Sequence, residues 1–433
     1  MLIDVFSPLP PLQTEIANHT AGVLRALGRK VRVRAWTSQE GPVELAAPEV
    51  EVRRFRPDDL PVATLNQAEA TFYNLGNNAR FHLDIHQAAR RMPGIVVLHD
   101  IKLQHFFANY GERPGADREY YLAQLEASHG PVLREKGEAF LAGRLDFEEL
   151  VSQAPMTLAA LAGATGGVLH NAAELAALKG QTHVPLYSLP LSSDFGPLPA
   201  RRKLADGDEL SRLVMFGYIG NNRRLLPVLE TLAAMPDRDR YRLDIYGIVE
   251  QADEADALIS RAGLSERVTR HGFVPDAELD AALATADLAL NLRWPTMGEA
   301  SAAQLRLWAA GCPSLVTDVG WYAQLPPETV FHIDPSDERG GIEAHLRALR
   351  RDPAVYARAG LAGRRVLERL HAPDAYADGL LRIAAQHVAQ HARHQGHALA
   401  RRAAAALLQV APPELARPLG AEVARRIAEL TRD

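Results

Sequence analysis

LALNLRWPTMGEASAAQLRLWAAGCPSLVTDVG, residues 288–320, carries the pattern of an open parallel sheet. LALNLRW (288–294) reads as a buried strand, and PTMG (295–298) as a tight turn, because Pro and Gly punctuate secondary structure. A helix is expected over 300–310, then a second strand at PSLVTDVG (313–320). Strand, loop, helix, strand is the βαβ unit, whose strands are covered on both faces and therefore run apolar rather than alternating.

The same alternation extends in both directions. Upstream lie LVMFGYIG (213–220), a helix over 223–235, YRLDIYG (241–247), VTRHGFV (268–274) and a helix over 276–285. An earlier series has strands at LIDVFS (2–7), VRVRAW (31–36), VEVRRF (50–55), ATFYNLG (70–76), IVVLHD (95–100) and GGVLHN (166–171). Ile16, Val23, Leu24 and Leu27 fall on one face of a helix after the first strand. A polar helical stretch is expected over 117–160. LSSDFGPLPARRKLADGDEL (191–210) is rich in Pro, Gly and charge and reads as a linker. The expected organisation is an α/β chain of two doubly wound domains, 1–195 and 196–370, with a helix over 371–390 and a helical tail over 391–433.

Composition bounds the function. The chain has 433 residues with 47% hydrophobic content, enough for two or three domains with sizeable cores. Lys and Arg total 48 against 53 Asp and Glu, a net charge of −5, which argues against nucleic acid as a partner. Cys312 is the sole cysteine, so an intrachain disulfide is excluded, and no Cys/His spacing suggests structural zinc. MLIDVFSPLPPL lacks a basic start and is broken by Asp4, Pro8, Pro10 and Pro11, unlike a signal peptide. No window approaches the roughly 18 apolar residues of a membrane span. A cytoplasmic enzyme is expected, with a peripheral contact to the inner face of a membrane as an open alternative.

Four places could carry chemistry. Glu299 stands where the 295–298 turn meets a helix, and the amides of Ala300, Ser301 and Ala302 would face the crevice beyond the strand ends. Amides at a helix start bind phosphate, and a carboxylate beside them can accept from sugar hydroxyls. The alternative is a helix-capping carboxylate worth about 1 kcal/mol. In FGYIGNNRRL (216–225), Gly217 and Gly220 would let a ligand approach the backbone, and Arg223 and Arg224 would bind phosphate oxygens. Exposed helix arginines are the alternative there. This run is not the dinucleotide GxGxxG fingerprint, so a nicotinamide cofactor is disfavoured. His99, followed by Asp100, ends one strand and could donate a hydrogen bond or move a proton. His170 and Asn171 end another, where bonds from their side chains to the backbone would suffice to explain them. His387, His391, His394 and His397 are spaced for one face of an exposed helix.

Taken together these segments resemble the GT-B-fold glycosyltransferases, and within them glycosyltransferase family 4. The resemblance spans about residues 1–390 and is densest in GFVPDAELDAALATADLALNLRWPTMGEAS (272–301). It implies two Rossmann-like domains facing a central cleft and transfer of a hexosyl or related sugar from a nucleotide-diphosphate donor, with retention. His99 and Glu299 would then be catalytic. Gly217, Gly220, Arg223, Arg224, Ala300, Ser301 and Ala302 would bind the donor. Glu15, His170 and Asn171 would line the acceptor side. The resemblance implies neither a metal nor an organic cofactor.

The chain departs from that family in one respect. The family motif carries a second Glu, which binds ribose hydroxyls, whereas here the two registers that could supply it hold Arg306 and Leu307. A GT-B-fold epimerase or phosphorylase, or a non-catalytic binding or scaffold member, are the alternatives this leaves. The acceptor would be a carbohydrate, a lipid-linked sugar or a small molecule. The tail, with Arg393, Arg401, Arg402, Arg417, Arg425, Arg426 and Arg432 against four acids, suits packing, self-association or a weak contact with an anionic membrane.

Overall fold

The computed structural model describes residues 1–112, 117–145, 147–201 and 210–388, with isolated positions 418, 421, 422, 425 and 426. Nearly all of the expected tail, 391–433, and with it His391, His394 and His397, lies outside the described residues.

Thirteen strands form two all-parallel sheets. In the first, β1 (Leu2–Phe6), β2 (Arg32–Thr37), β3 (Val50–Arg54), β4 (Ala70–Leu75), β5 (Ile95–Leu98), β6 (Gly166–Leu169) and β7 (Leu186–Ser188) lie in the order β3-β2-β1-β4-β5-β6-β7. In the second, β8 (Ser211–Phe216), β9 (Tyr241–Tyr246), β10 (Val268–Gly272), β11 (Leu288–Leu290), β12 (Ser314–Thr317) and β13 (Phe331–Ile333) lie in the order β10-β9-β8-β11-β12-β13. Each sheet starts in its middle and reverses direction once, beside β1 and β8. Loops leave such a switch point in opposite directions and open a crevice beyond the strand ends.

The sequence pattern located eleven of these strands and missed β7 and β13. Each missed strand is three residues long, too short to show a periodicity. The strand expected over 288–294 pairs only at Leu288–Leu290, and the remainder is loop. The stretch 117–160 is four helices: Arg118–His129, Pro131–Leu141, Phe147–Gln153 and Thr157–Ala160.

Helices cover both faces of each sheet. Val5, Ile3, Val33 and Phe72 pack below the first sheet with Leu24 and Leu27 of the helix Glu15–Gly28. That same cluster takes in Tyr376, Ala377, Leu380 and Ile383. They belong to a helix over 373–388, which follows the Pro353–Leu370 helix of the second domain and returns to the first. Arg29 meets Asp374 at 2.9 Å and Lys30 meets Asp378 at 2.7 Å at this junction. These pairs are largely exposed and add little; the apolar contact holds the helix.

Buried and half-buried imidazoles lie where the returning helix meets the strand ends. The His19 ring stands 5.1 Å from that of His99 and 4.9 Å from that of Tyr376, and His99 stands 4.9 Å from His170. Burial pushes His19 and His82 down to about 4 and His170 to about 3. All three are neutral in the fold at pH 7 and regain the ordinary value near 6.5 when unfolded. The unfolded chain therefore binds more protons below pH 6.5, so stability is complete above that value and falls as the pH drops towards 4. Each of these imidazoles should withdraw on the order of 1 kcal/mol between pH 7 and pH 5. Urea unfolding at the two pH values measures this; equal midpoints would show that the cluster is not buried neutral.

Candidate functional site

The cleft site is built from the loops that follow β8 and β11, the two strands at the second sheet's switch point. After β8 the chain turns at Gly217, whose φ of +101° suits glycine. The neighbouring Gly247 is set by crowding as well, since a Cβ there would lie 2.1 Å from the Gly217 carbonyl oxygen. A 3₁₀ turn, Asn221–Arg223, follows, and its Asn222 carbonyl accepts from the Trp294 amide at 2.8 Å. That bond brings the loop after β11 alongside Arg223.

Arg223 is 3% exposed. Its Nη2 donates to the Phe216 carbonyl at 3.0 Å, while its Nε finds no hydrogen-bond partner among the described residues. Burial, with the charge of Arg293 second, lowers it to about 10. Arg293 Nε meets Glu299 Oε1 at 3.0 Å, both side chains being mostly buried. Burial opposes the Arg293 charge, but Tyr322, Glu299 and Asp100 more than offset it, and its pKa is raised. Glu299 Oε2 accepts from the Met297 amide at 2.8 Å and the Thr296 hydroxyl at 3.1 Å. Behind the loop, Asn291 Nδ2 donates to Gln304 Oε1 at 2.9 Å and Gln304 Nε2 to Ser314 Oγ at 2.8 Å, a buried ladder that fixes the next helix against the sheet.

That helix is Ala302–Ala309, so it starts three residues later than Glu299. Ser301 is the capping residue, its hydroxyl accepting from the Gln304 amide at 3.1 Å. Glu299 is thereby released from the capping role that the sequence left open. Ala300, Ser301 and Ala302 do occupy the helix start.

Arg224 is a correction. It and Arg223 were expected to be exposed and to share the phosphate role. Instead Arg223 is buried, and Arg224, at φ +64°, turns away to form a fork with Glu338, with contacts of 2.8–3.1 Å. The second cation of the cleft is Arg293, which the pattern absorbed into a strand. Gly220 closes the 3₁₀ turn, its carbonyl accepting from the Arg223 amide at 2.9 Å.

The first domain supplies the facing wall. His99 Nε2 hydrogen-bonds Asn74 Oδ1 at 2.9 Å. Burial, then the neighbouring His170, His19 and His82, hold it far below the ordinary imidazole value, so it is neutral. Next to it, Asp100 accepts from the Asn77 amide at 2.8 Å and is pushed up to about 6 by burial, with Glu299 adding across the cleft. His170 Nδ1 donates to the Leu189 carbonyl at 2.8 Å. Asn171 Oδ1 caps the helix Ala172–Leu178, accepting from the Ala173 and Glu174 amides at 3.1 and 3.3 Å. Both therefore have the backbone-bonding role that a strand end suggests. Glu15 heads the helix Glu15–Gly28; the surrounding mass of both domains raises its carboxyl, with Arg306 opposing and Asp276 adding. Among the described residues, no group of three or more His, Cys, Asp or Glu is placed to hold a metal ion, and no helix is long and apolar enough to cross a membrane.

The arrangement suits an anion. Two buried guanidiniums face one paired carboxylate, and a desolvated cation with spare donors gains strongly from phosphate oxygens. Inorganic pyrophosphate should therefore raise the thermal midpoint of the wild-type protein and of Arg224→Ala, but not of Arg293→Ala. An equal shift in all three would place anion binding elsewhere.

No family model matches the chain, and no curated protein matches it. Solved structures do match over most of its length. HepE of Anabaena, in complex with UDP-glucose, has a TM-score of 0.58 at 14% identity over 89% of this chain and 100% of that one. Sucrose-phosphate synthase of Thermosynechococcus elongatus has a TM-score of 0.59 at 16% identity over 89% and 98%. WaaG, a glycosyltransferase involved in lipopolysaccharide biosynthesis, has a TM-score of 0.53 at 14% identity over 87% and 99%. The expected fold, two Rossmann-like domains facing a cleft, is the fold of these structures.

Proposed function

We propose that the chain transfers a sugar from a nucleoside-diphosphate sugar to an acceptor hydroxyl. The observation that carries this reading is the pair of buried arginines, Arg223 and Arg293, held beside Glu299 at the switch-point crevice of the second domain. The fold is shared with structures that include a UDP-glucose complex, which supports a nucleotide-sugar donor.

In this reading the diphosphate lies on Arg223 and Arg293, with the first amides of the Ala302–Ala309 helix completing its cradle. These groups stabilise charge as it grows on the leaving phosphate, and no metal or organic cofactor enters the scheme. Glu299 accepts from donor-sugar hydroxyls. A carboxylate offers about four acceptor sites, and Met297 and Thr296 use two of them, while Arg293 pairs with the other oxygen as a charge. His99, neutral and half-buried, faces the acceptor. The bond from the anomeric carbon to the phosphate oxygen breaks, the acceptor oxygen bonds to that carbon, and its proton passes to the leaving phosphate. That front-face route gives retention. The acceptor binds against the first domain and is a carbohydrate, a lipid-linked sugar or a small molecule.

The family's second Glu has a substitute in this scheme. Leu307 is fully buried, and Arg306 reaches Asp276 and Asp280 on the helix Asp276–Thr285, each at 2.8 Å. The trio carries one net negative charge, as a lone Glu would, and its exposed carboxylates can accept from ribose hydroxyls. The same substitution favours a second reading, a member that binds nucleotide sugar without turning it over.

Calorimetry across UDP-, GDP- and ADP-sugars, followed by mass spectrometry of products, separates the readings: binding with product supports transfer, and binding alone supports the second. Glu299→Gln removes charge-assisted bonds and should lower turnover about tenfold to a hundredfold. Unchanged turnover would remove Glu299 from the reaction.

A further inference from the structure

Three consecutive carbonyls of the loop that carries Glu299 accept hydrogen bonds from the opposite domain. Lys102 Nζ donates to the Thr296 carbonyl at 2.9 Å, the Lys102 amide to the Met297 carbonyl at 3.0 Å, and Asn171 Nδ2 to the Gly298 carbonyl at 3.3 Å. The donors are themselves fixed. On either side of Lys102, the Ile101 carbonyl accepts from the Thr157 hydroxyl at 2.6 Å, and the Leu103 amide donates to the Pro155 carbonyl at 2.7 Å. Asn171 is tied back to the second domain as well, its Oδ1 accepting from Gln324 Nε2 at 2.7 Å while Gln324 Oε1 accepts from the Ala173 amide at 3.3 Å.

The loop's remaining polar groups point inward on one another. The Met297 amide and the Thr296 hydroxyl donate to Glu299, and the Gly298 amide donates to Thr296 Oγ1 at 3.1 Å. Its carbonyls are thus spent on the first domain and its donors on the carboxylate and on the Thr296 hydroxyl. Gly298 has φ +77°, and a Cβ there would lie 2.8 Å from Ile101 Cβ, so the Gly298 backbone packs directly against the Ile101 side chain of the first domain.

We propose that Lys102, Asn171 and Gln324 form an interdomain clasp that sets the Glu299 loop, so that the carboxylate is correctly placed only while the cleft is shut. They are positioning residues, and the inference rests on the reading of Glu299 as part of the donor site. Arg223 and Arg293 are anchored within the second domain, so an open cleft keeps its anion site and loses only the placement of the carboxylate. Loss of the clasp should therefore act on turnover more than on donor binding.

The double variant Lys102→Met, Gln324→Ala removes one bond to the loop and the tie behind Asn171 while leaving every buried core residue in place. Hydrogen exchange of the ligand-free protein, read by mass spectrometry, should speed up about tenfold at the Lys102 amide and across 294–300, since each net hydrogen bond is worth about two- to tenfold in an opening equilibrium. With UDP-glucose as donor, kcat should fall about tenfold and KM should move less than twofold. Lys102→Arg, which can still reach the Thr296 carbonyl, should recover most of kcat. Unchanged exchange in the double variant, or a rise in KM at constant kcat, would overturn the clasp. Failure of the wild-type protein to bind any nucleotide sugar would overturn the donor reading alone, because the exchange measurement needs no ligand.

Discussion

Two guanidiniums buried within one cleft, with a single carboxylate in contact with either, are the constraint on which the rest of the second domain depends. Moving a charge out of water costs several kcal/mol unless partners repay it. Arg293 has Glu299; Arg223 has one backbone carbonyl and an unpartnered Nε. Such a site is held in place by the surrounding fold rather than by its own stability. The Asn291–Gln304–Ser314 ladder and the Asn222–Trp294 bond supply that hold, and the ladder costs little because it satisfies polar groups that are buried anyway.

The facing walls of the cleft differ in charge state. On the first domain, His19, His99 and His170 stand close together and burial keeps all three neutral at pH 7. On the second, Arg223 and Arg293 remain charged. An anion entering the cleft is drawn to one wall only, and the other offers imidazole and amide groups suited to neutral hydroxyls. Asp100, at about 6 and facing Glu299 across the cleft, raises the contrast as the pH climbs through about 6, because its ionisation adds negative charge on the first wall.

Much of this was legible in the sequence, and the parts that were not share a cause. The strands of both sheets announce themselves as apolar runs, and glycines after β8 and β11 mark where the backbone must turn. The position of Glu299 and Arg223 in the cleft was legible because a carboxylate or cation between a strand and a helix is a local signal. Arg293 was missed because it continues the apolar run of β11, where a charged residue looks like the strand's polar end. Arg224 was expected to lie like Arg223 because adjacent arginines look alike in sequence, and only the left-handed turn at Arg224 sends one inward and the other to Glu338. The helix starts two residues later than expected because Glu and Ser are both credible caps, and the hydroxyl of Ser301 took the role.

What no local pattern could show is the contact between Lys102 and the carbonyls of Thr296 and Met297, nearly two hundred positions apart in the chain. One of its two donors is a backbone amide and its acceptors are backbone carbonyls, groups that every residue has, so only the Lys102 ammonium leaves a trace in residue type. Gly298 beside it carries the other visible mark. It reads in the sequence as a turn residue, and a turn does need it; yet the space that a Cβ would fill belongs to Ile101 of the other domain. The same glycine thus answers to two demands, a local positive φ and a close interdomain approach. The local one alone suffices to explain its presence, which is why the other stays hidden until both sheets are in place.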